Sequence, residues 1–164
     1  MADFPLSSTK ELLQQMEGLA RENGISLEAV LIAFFLKVLH EASQEAEIEI
    51  LVKDSKFADK IRLNFDILKN YQNLFLMVEG QFTDMKRAQS TFSFTVPKNY
   101  GSNTILPVFS LGGQSDRCDL ILEFERNGYT LTCTYDANRL CREQIGDMMK
   151  EYIKLLEDLV TLSV

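Results

Sequence analysis

Residues 118–160, CDLILEFERNGYTLTCTYDANRLCREQIGDMMKEYIKLLEDLV, decide the architecture. The first half alternates apolar and polar residues on both sides of Asn127-Gly128, a dipeptide suited to a type I′ hairpin turn because both central residues need positive φ. A two-residue loop there pairs Phe124 with Leu131 and Leu122 with Cys133. That register puts Leu120, Leu122, Phe124, Leu131, Cys133 and Tyr135 on one face, and Glu123, Thr130, Thr132 and Thr134 on the other. The second half changes period. Ile145, Met148, Met149, Tyr152, Leu155, Leu156 and Leu159 form one stripe, which predicts a long amphipathic helix docked on the sheet.

Working outward, Ser8 and Glu11 have the spacing of a capping box, and Leu12, Leu13, Met16, Leu19 and Ala20 follow at helical intervals, so a helix is expected over 8–22. Asn23-Gly24 supplies a left-handed stop, and Ser26 can accept from the first free amides of a second helix. That helix, over 27–39, is apolar on almost every side and therefore needs neighbours on several faces. The polar residues 41–47 read as a turn. Ile48, Ile50 and Val52 then alternate with polar residues as a half-buried strand does, and Ile61, Leu63 and Phe65 repeat the pattern. Leu74, Phe75, Val78, Phe82 and Met85 return to helical spacing, giving a helix over 71–88. A further strand is expected over 91–96, a loop over 98–103, and a short strand over 105–111 that Pro107 restricts to a sheet edge or an irregular crossing.

At 164 residues with 46% hydrophobic content, the chain is expected to form a single domain over 1–164 with a sizeable core. Its formal net charge of −7 repels phosphate backbones and anionic headgroups, so neither nucleic acid nor a membrane is an expected partner. The longest apolar run, 30–36, is too short to span a bilayer, and the first residues lack the layout of a signal peptide; a cytoplasmic location is expected. Cys118, Cys133 and Cys141 are odd in number and lack metal-ligand spacing, which argues for reduced thiols.

None of the familiar catalytic arrangements is matched. His40 is the sole histidine and ends a helix beside Glu41, where a capping or surface role suits it better than catalysis. Cys133 is expected to point into the core, where thiols are inert. Glu47 and Glu49 share a strand face, as paired carboxylates do, but a solvated acidic face is the commoner cause. Gly112-Gly113 lacks the surroundings of a phosphate loop, and Met77, Met148 and Met149 read as core filler rather than an adaptable surface. No metal or cofactor of the chain's own is expected.

Residues 118–160 resemble the closing segment of condensation domains from nonribosomal peptide synthetases. The correspondence runs through Asp119-Leu120, then Tyr135-Asp136-Ala137-Asn138, then Leu140 and the 145–159 stripe. Residues 10–43, KELLQQMEGLARENGISLEAVLIAFFLKVLHEAS, are similar to the helix pair that opens the second subdomain of that family, with Leu19-Ala20, Gly24, Ser26 and Leu39 at matching places. The resemblance implies an α/β, chloramphenicol-acetyltransferase-like half domain: a mixed, largely antiparallel β-sheet packed against long helices, with a sister half completing a V. The family's HHxxxDG motif belongs to the absent first half, and no His pair exists here. IRLNF at 61–65 stands where the family has a GxFVNT-like strand, and HQDYPFE-like and RDxSRNPL-like motifs are missing.

What the resemblance implies about function is a non-catalytic interaction or scaffolding module of a nonribosomal peptide or hybrid polyketide synthetase. Its expected partners are carrier proteins, with contact to their phosphopantetheine, or other synthetase domains; a homodimer or heterodimer is expected because a lone half leaves apolar surface to cover. The alternative is half of a condensing acyltransferase that forms peptide bonds only beside an HHxxxDG-bearing half, or one that completes a site across an interface with His40 as general base. By position, Tyr100, Ser102, Asn103, Leu106, Val108, Phe109 and Leu111 resemble the floor-loop and latch segments and are the candidates for the partner contact.

Overall fold

The hairpin at the centre of the sequence forms with the expected register, Phe124 opposite Leu131 and Leu122 opposite Cys133. In the computed structural model, which describes residues 2–6, 9–68, 70–88, 107–112 and 119–162, its strands are β5 (Leu120–Glu125) and β6 (Thr130–Tyr135). Before them come β1 (Ala2–Phe4), α1 (Lys10–Glu22), α2 (Leu27–Ser43), β2 (Glu47–Lys53), β3 (Ala58–Asn64), α3 (Tyr71–Ala88) and β4 (Pro107–Ser110); α4 (Arg142–Leu162) follows. The strands make one six-stranded mixed sheet in the order β1-β6-β5-β4-β2-β3. Its centre, β2, β4 and β5, is parallel, and the remaining pairs are antiparallel.

Two expectations about this sheet need correction. The hairpin turn is not type I′: neither Asn127 nor Gly128 takes positive φ, and Tyr129 does instead, at 50°. A left-handed tyrosine is unfavourable by itself, but its hydroxyl donates to Glu17 Oε1 at 2.9 Å and its ring packs edge-on to Phe124, so tertiary contacts hold the conformation. The second correction concerns β4, which is interior rather than an edge. Pro107 is its first residue, where a missing N–H is tolerated, and the strand pairs with β5 on one side and β2 on the other. The strand expected over 91–96 lies outside the described residues.

The helices pack on one face of the sheet. Ile48, Ile50, Val52, Ile61, Leu63, Phe109, Leu120, Leu122, Phe124, Leu131, Cys133 and Tyr135 join the helical side chains in one core, while Leu51, Val108 and Ile121 form a small strand-only cluster on the opposite face. The sharing of one face by the hairpin's six apolar residues thus stands as expected.

α2 is the centre of that core. Eleven of its residues from Leu27 to Leu39 are buried, and it touches α1, α3, α4 and β2. Ser26 starts it as expected: its Oγ accepts from Ala29 N at 3.2 Å and donates to Glu79 Oε2 of α3 at 2.7 Å. The helix runs to Ser43, four residues past the expected end at Leu39, and Gln44 terminates it in the left-handed region at φ 63°. α1 is capped by Thr9 without a side-chain bond; Ser8 lies outside the described residues, and Gly24 supplies the left-handed stop at φ 71°.

α4 packs chiefly on α1 and α2 and meets the sheet mainly at β1, rather than lying across it. Its Tyr152 explains why: the fully buried hydroxyl donates to the Leu31 carbonyl of α2 at 2.8 Å, a bond available only against that helix. The β3 edge is blocked by α3, whose Gln81 accepts from Arg62 N at 3.2 Å and donates to Arg62 O at 3.0 Å, occupying the groups an incoming strand would use.

Tyr152→Phe removes one donor while leaving Leu31 O inside the helix ladder, and should cost about 0.5–1.5 kcal/mol. Phe109→Ala, which empties the ring that faces Phe35 at 6.3 Å, should cost about 3–5 kcal/mol. Urea denaturation of the two variants checks both values and their order.

Candidate functional site

Of the residues expected at a partner contact, Tyr100, Ser102, Asn103 and Leu106 lie outside the described residues. The structure places the other three apart. Val108 and Phe109 point to opposite faces of an interior strand and are buried within the chain itself, at 2% and 0% exposure, while Leu111 just past that strand is half-buried. Strand alternation imposes this split, since consecutive residues cannot share a face.

The residues weighed for catalysis are likewise occupied or separated. His40 stacks on Phe65 with ring centroids 4.3 Å apart, and its Nδ1 lies 2.5 Å from the Glu45 carbonyl oxygen. Burial, and then the nearby Asp3 carboxylate, push the Cys133 thiol up to about 12, so it stays protonated at neutral pH. Glu47 and Glu49 each face a cation on β3: Glu47 pairs with Arg62, and Glu49 with Lys60 at 3.3 Å. They are two separate ion pairs, not a carboxylate pair. Gly112 takes φ 136° and packs its N–H on Ser110 Oγ at 3.2 Å, a local turn; Gly113 lies outside the described residues. Among the described residues no cluster of His, Cys, Asp and Glu is placed to hold a metal. No helix among them is long and apolar enough to cross a membrane.

What the structure assembles instead is an apolar surface on the outer side of the helical layer. Ile67, Tyr71, Leu76 and Met77, at the start of α3, are 70%, 42%, 52% and 50% exposed. Tyr71 and Leu76 border a groove of about 360 Å³ between α1 and α3, floored by Met16, Ala20, Val30 and Phe75. Tyr71 is fixed at its margin by edge contact with Phe34 at 5.7 Å and by the Lys37 ammonium, 5.6 Å from the ring centroid. Met77, taken from the sequence as core filler, is thus on the surface, whereas Met149 is in the core. The signal was present in the sequence: the stripe through Leu74, Phe75, Val78, Phe82 and Met85 leaves Leu76 and Met77 off it.

A charged clasp ties the hairpin tip to the helices near the other end of α2. Arg126 bridges Glu17 of α1 and Glu28 in the first turn of α2, and Tyr129 donates to the same Glu17. Burial raises the Glu17 carboxyl, but the Tyr129 hydroxyl and the Arg126 and Arg21 guanidinium groups more than reverse this, leaving it below its ordinary value.

No protein-family model matches the chain, and no curated protein matches it in sequence. Solved structures do match its fold. SgcC5 from Streptomyces globisporus superposes with a TM-score of 0.71 at 13% identity, over 92% of this chain and 46% of that one. The cyclization-docking bidomain of the EpoB nonribosomal peptide synthetase from Sorangium cellulosum gives 0.71 at 12% identity, over 97% and 41%. AB3403, a four-domain nonribosomal peptide synthetase, gives 0.76 at 16% identity, over 98% and 16%. Condensation domains of peptide and polyketide synthases superpose in the same way. This chain therefore has the fold of half a condensation domain, and it spans less than half the length of the structures it matches.

The clasp has a pH signature. Because the folded Glu17 carboxyl titrates below its ordinary value near 4.5, its contribution is fully present above that pH and is lost as the pH falls through the folded value. Glu17→Gln should be less stable than the parent at about pH 7, with the gap closing as the pH falls below the ordinary carboxyl value of 4.5 and through the lower folded one. Urea midpoints across that range read it; a gap that stays constant would show that the carboxylate charge contributes nothing.

Proposed function

We propose that this chain is a condensation-like interaction module of a nonribosomal peptide or hybrid polyketide synthetase, working in the cytoplasm and catalytically silent alone, that docks another domain of the assembly. What carries this reading is a conjunction. Nearly the whole chain superposes on under half of condensation-domain structures, and its single histidine rules out an HHxxxDG motif. The apolar side chains exposed at α3 support it, because Tyr71 and Leu76 border an apolar groove and exposed apolar patches commonly serve partners. A neighbouring synthetase domain is the occupant that suits a chain with half of a larger fold; a carrier protein bearing phosphopantetheine is the second.

The short coverage also favours one enzymatic variant, in which the chain completes a condensing acyltransferase once paired with an HHxxxDG-bearing half. In that reading the base comes from the partner half, while His40 is held by stacking on Phe65 and by its Nδ1 contact to the Glu45 carbonyl.

Size-exclusion and titration binding against purified synthetase domains encoded beside this chain test the proposal. Binding is expected to weaken at least about tenfold in a Leu76→Lys, Met77→Glu double variant whose urea midpoint is unchanged, because truncating central interface anchors commonly costs about 2 kcal/mol or more. Failure to bind any of these domains rejects the interaction module. In an acyl-transfer assay with the complementary half, His40→Ala should leave the rate unaltered; loss of transfer would make His40 the base after all.

A further inference from the structure

The three central strands run parallel, so the carboxyl ends of β2, β4 and β5 open at one end of the sheet, where open α/β folds place their ligand crevices. A cavity of about 260 Å³ lies there, beside the first turn of α2 and the last turns of α3. It is at the other end of α3 from the exposed apolar residues. Its floor is apolar and mostly aromatic, made by Phe57, Phe82, Leu111 and Phe124. The volume falls just under the roughly 300–1,000 Å³ typical of drug-sized sites, so it suits a smaller molecule with an apolar body.

The rim supplies two signs of charge. Glu28 is held by Arg126 within the clasp, which Arg126 shares with Glu17. Asp54 and Lys86, which also line the cavity, enter no ion pair among the described residues. Asp54 is positioned by its own turn: its Oδ1 accepts from Lys56 N at 2.5 Å, and its N–H donates to Phe57 O at 2.8 Å. Lys86 stands over the Phe82 ring, 5.2 Å from the centroid, which holds the ammonium at the mouth above the aromatic floor.

We propose that this cavity binds a small zwitterion with an apolar body, its ammonium group on Asp54, its carboxylate on Lys86 and its apolar part on the phenylalanine floor. The match is in chemistry and order: one carboxylate and one ammonium available at the mouth, apolar surface beneath. A singly charged analogue loses one of the two contacts and leaves its counterpart unpaired. The proposal is independent of the docking role, since it involves neither the α1–α3 groove nor a second protein.

The probe is L-phenylalanine titrated into the full chain, followed by chemical-shift changes and calorimetry, with phenethylamine and 3-phenylpropionate as the singly charged analogues. Saturable binding with a Kd on the order of a millimolar is expected, weakened about tenfold by Lys86→Met and about tenfold by Asp54→Asn. Asp54→Asn keeps the acceptor for Lys56 N, and Lys86 is on the surface, so both variants should retain the parent melting temperature. Each analogue should bind the parent as weakly as L-phenylalanine binds the matching variant, and Lys150→Met on exposed α4 should bind like the parent. No saturable binding to the folded parent, affinity unchanged in both variants, or equal binding of all three probes overturns the proposal.

Discussion

A helix that is apolar all the way round cannot exist at a surface, and α2 is such a helix. Its residues Val30 to Leu36 are without exception buried, so it must be enclosed by the sheet on one side and by α1, α3 and α4 on the others. The rest of the architecture follows from that demand. Each helix around α2 is amphipathic because it has one side to give to it and one to give to water. The two polar ties into α2, Tyr152 to Leu31 O and Glu79 to Ser26, fix the rotation of α4 and α3 around it, since a buried hydroxyl is stabilising only where its acceptor lies.

The sheet meets a different constraint. With all four helices on one face, its other face carries the Leu51, Val108 and Ile121 cluster at its centre, flanked by the ion pairs of Glu47, Glu49, Lys60 and Arg62 and by the hairpin threonines. Those exposed pairs contribute little to stability individually. Their effect is to keep neighbouring like-charged residues separated and, together with Gln81 on the backbone of Arg62, to deny the β3 edge to a second strand. The exposed apolar residues Ile67, Leu76 and Met77 lie instead on or just before α3.

Of the groups capable of chemistry in principle, His40 stacks on Phe65, Cys133 is buried and protonated, and Glu47 and Glu49 face cations on β3. The groups with unspent capacity are the apolar residues of α3 and the charged mouth at the carboxyl ends of β2, β4 and β5.

Periodicity alone made several elements legible. The stripe of α3 gave its span, Tyr71–Ala88, and the alternation around Asn127-Gly128 gave the hairpin register and its buried face, because both are local consequences of 3.6- and 2-residue repeats. The encirclement of α2 was equally legible from its composition. The place of β4 between β2 and β5 was not legible, nor was the pairing of three-residue β1 with β6, because strand order depends on contacts between segments far apart in sequence. Tyr129, rather than Asn127 or Gly128, took the left-handed turn position because Glu17, over a hundred residues away, holds its hydroxyl. The side chains lining the α1–α3 groove and the cavity beside Lys86 were invisible for the same reason: sequence period tells which side of an element is covered, but only the packed chain decides which elements meet and what space they leave between them.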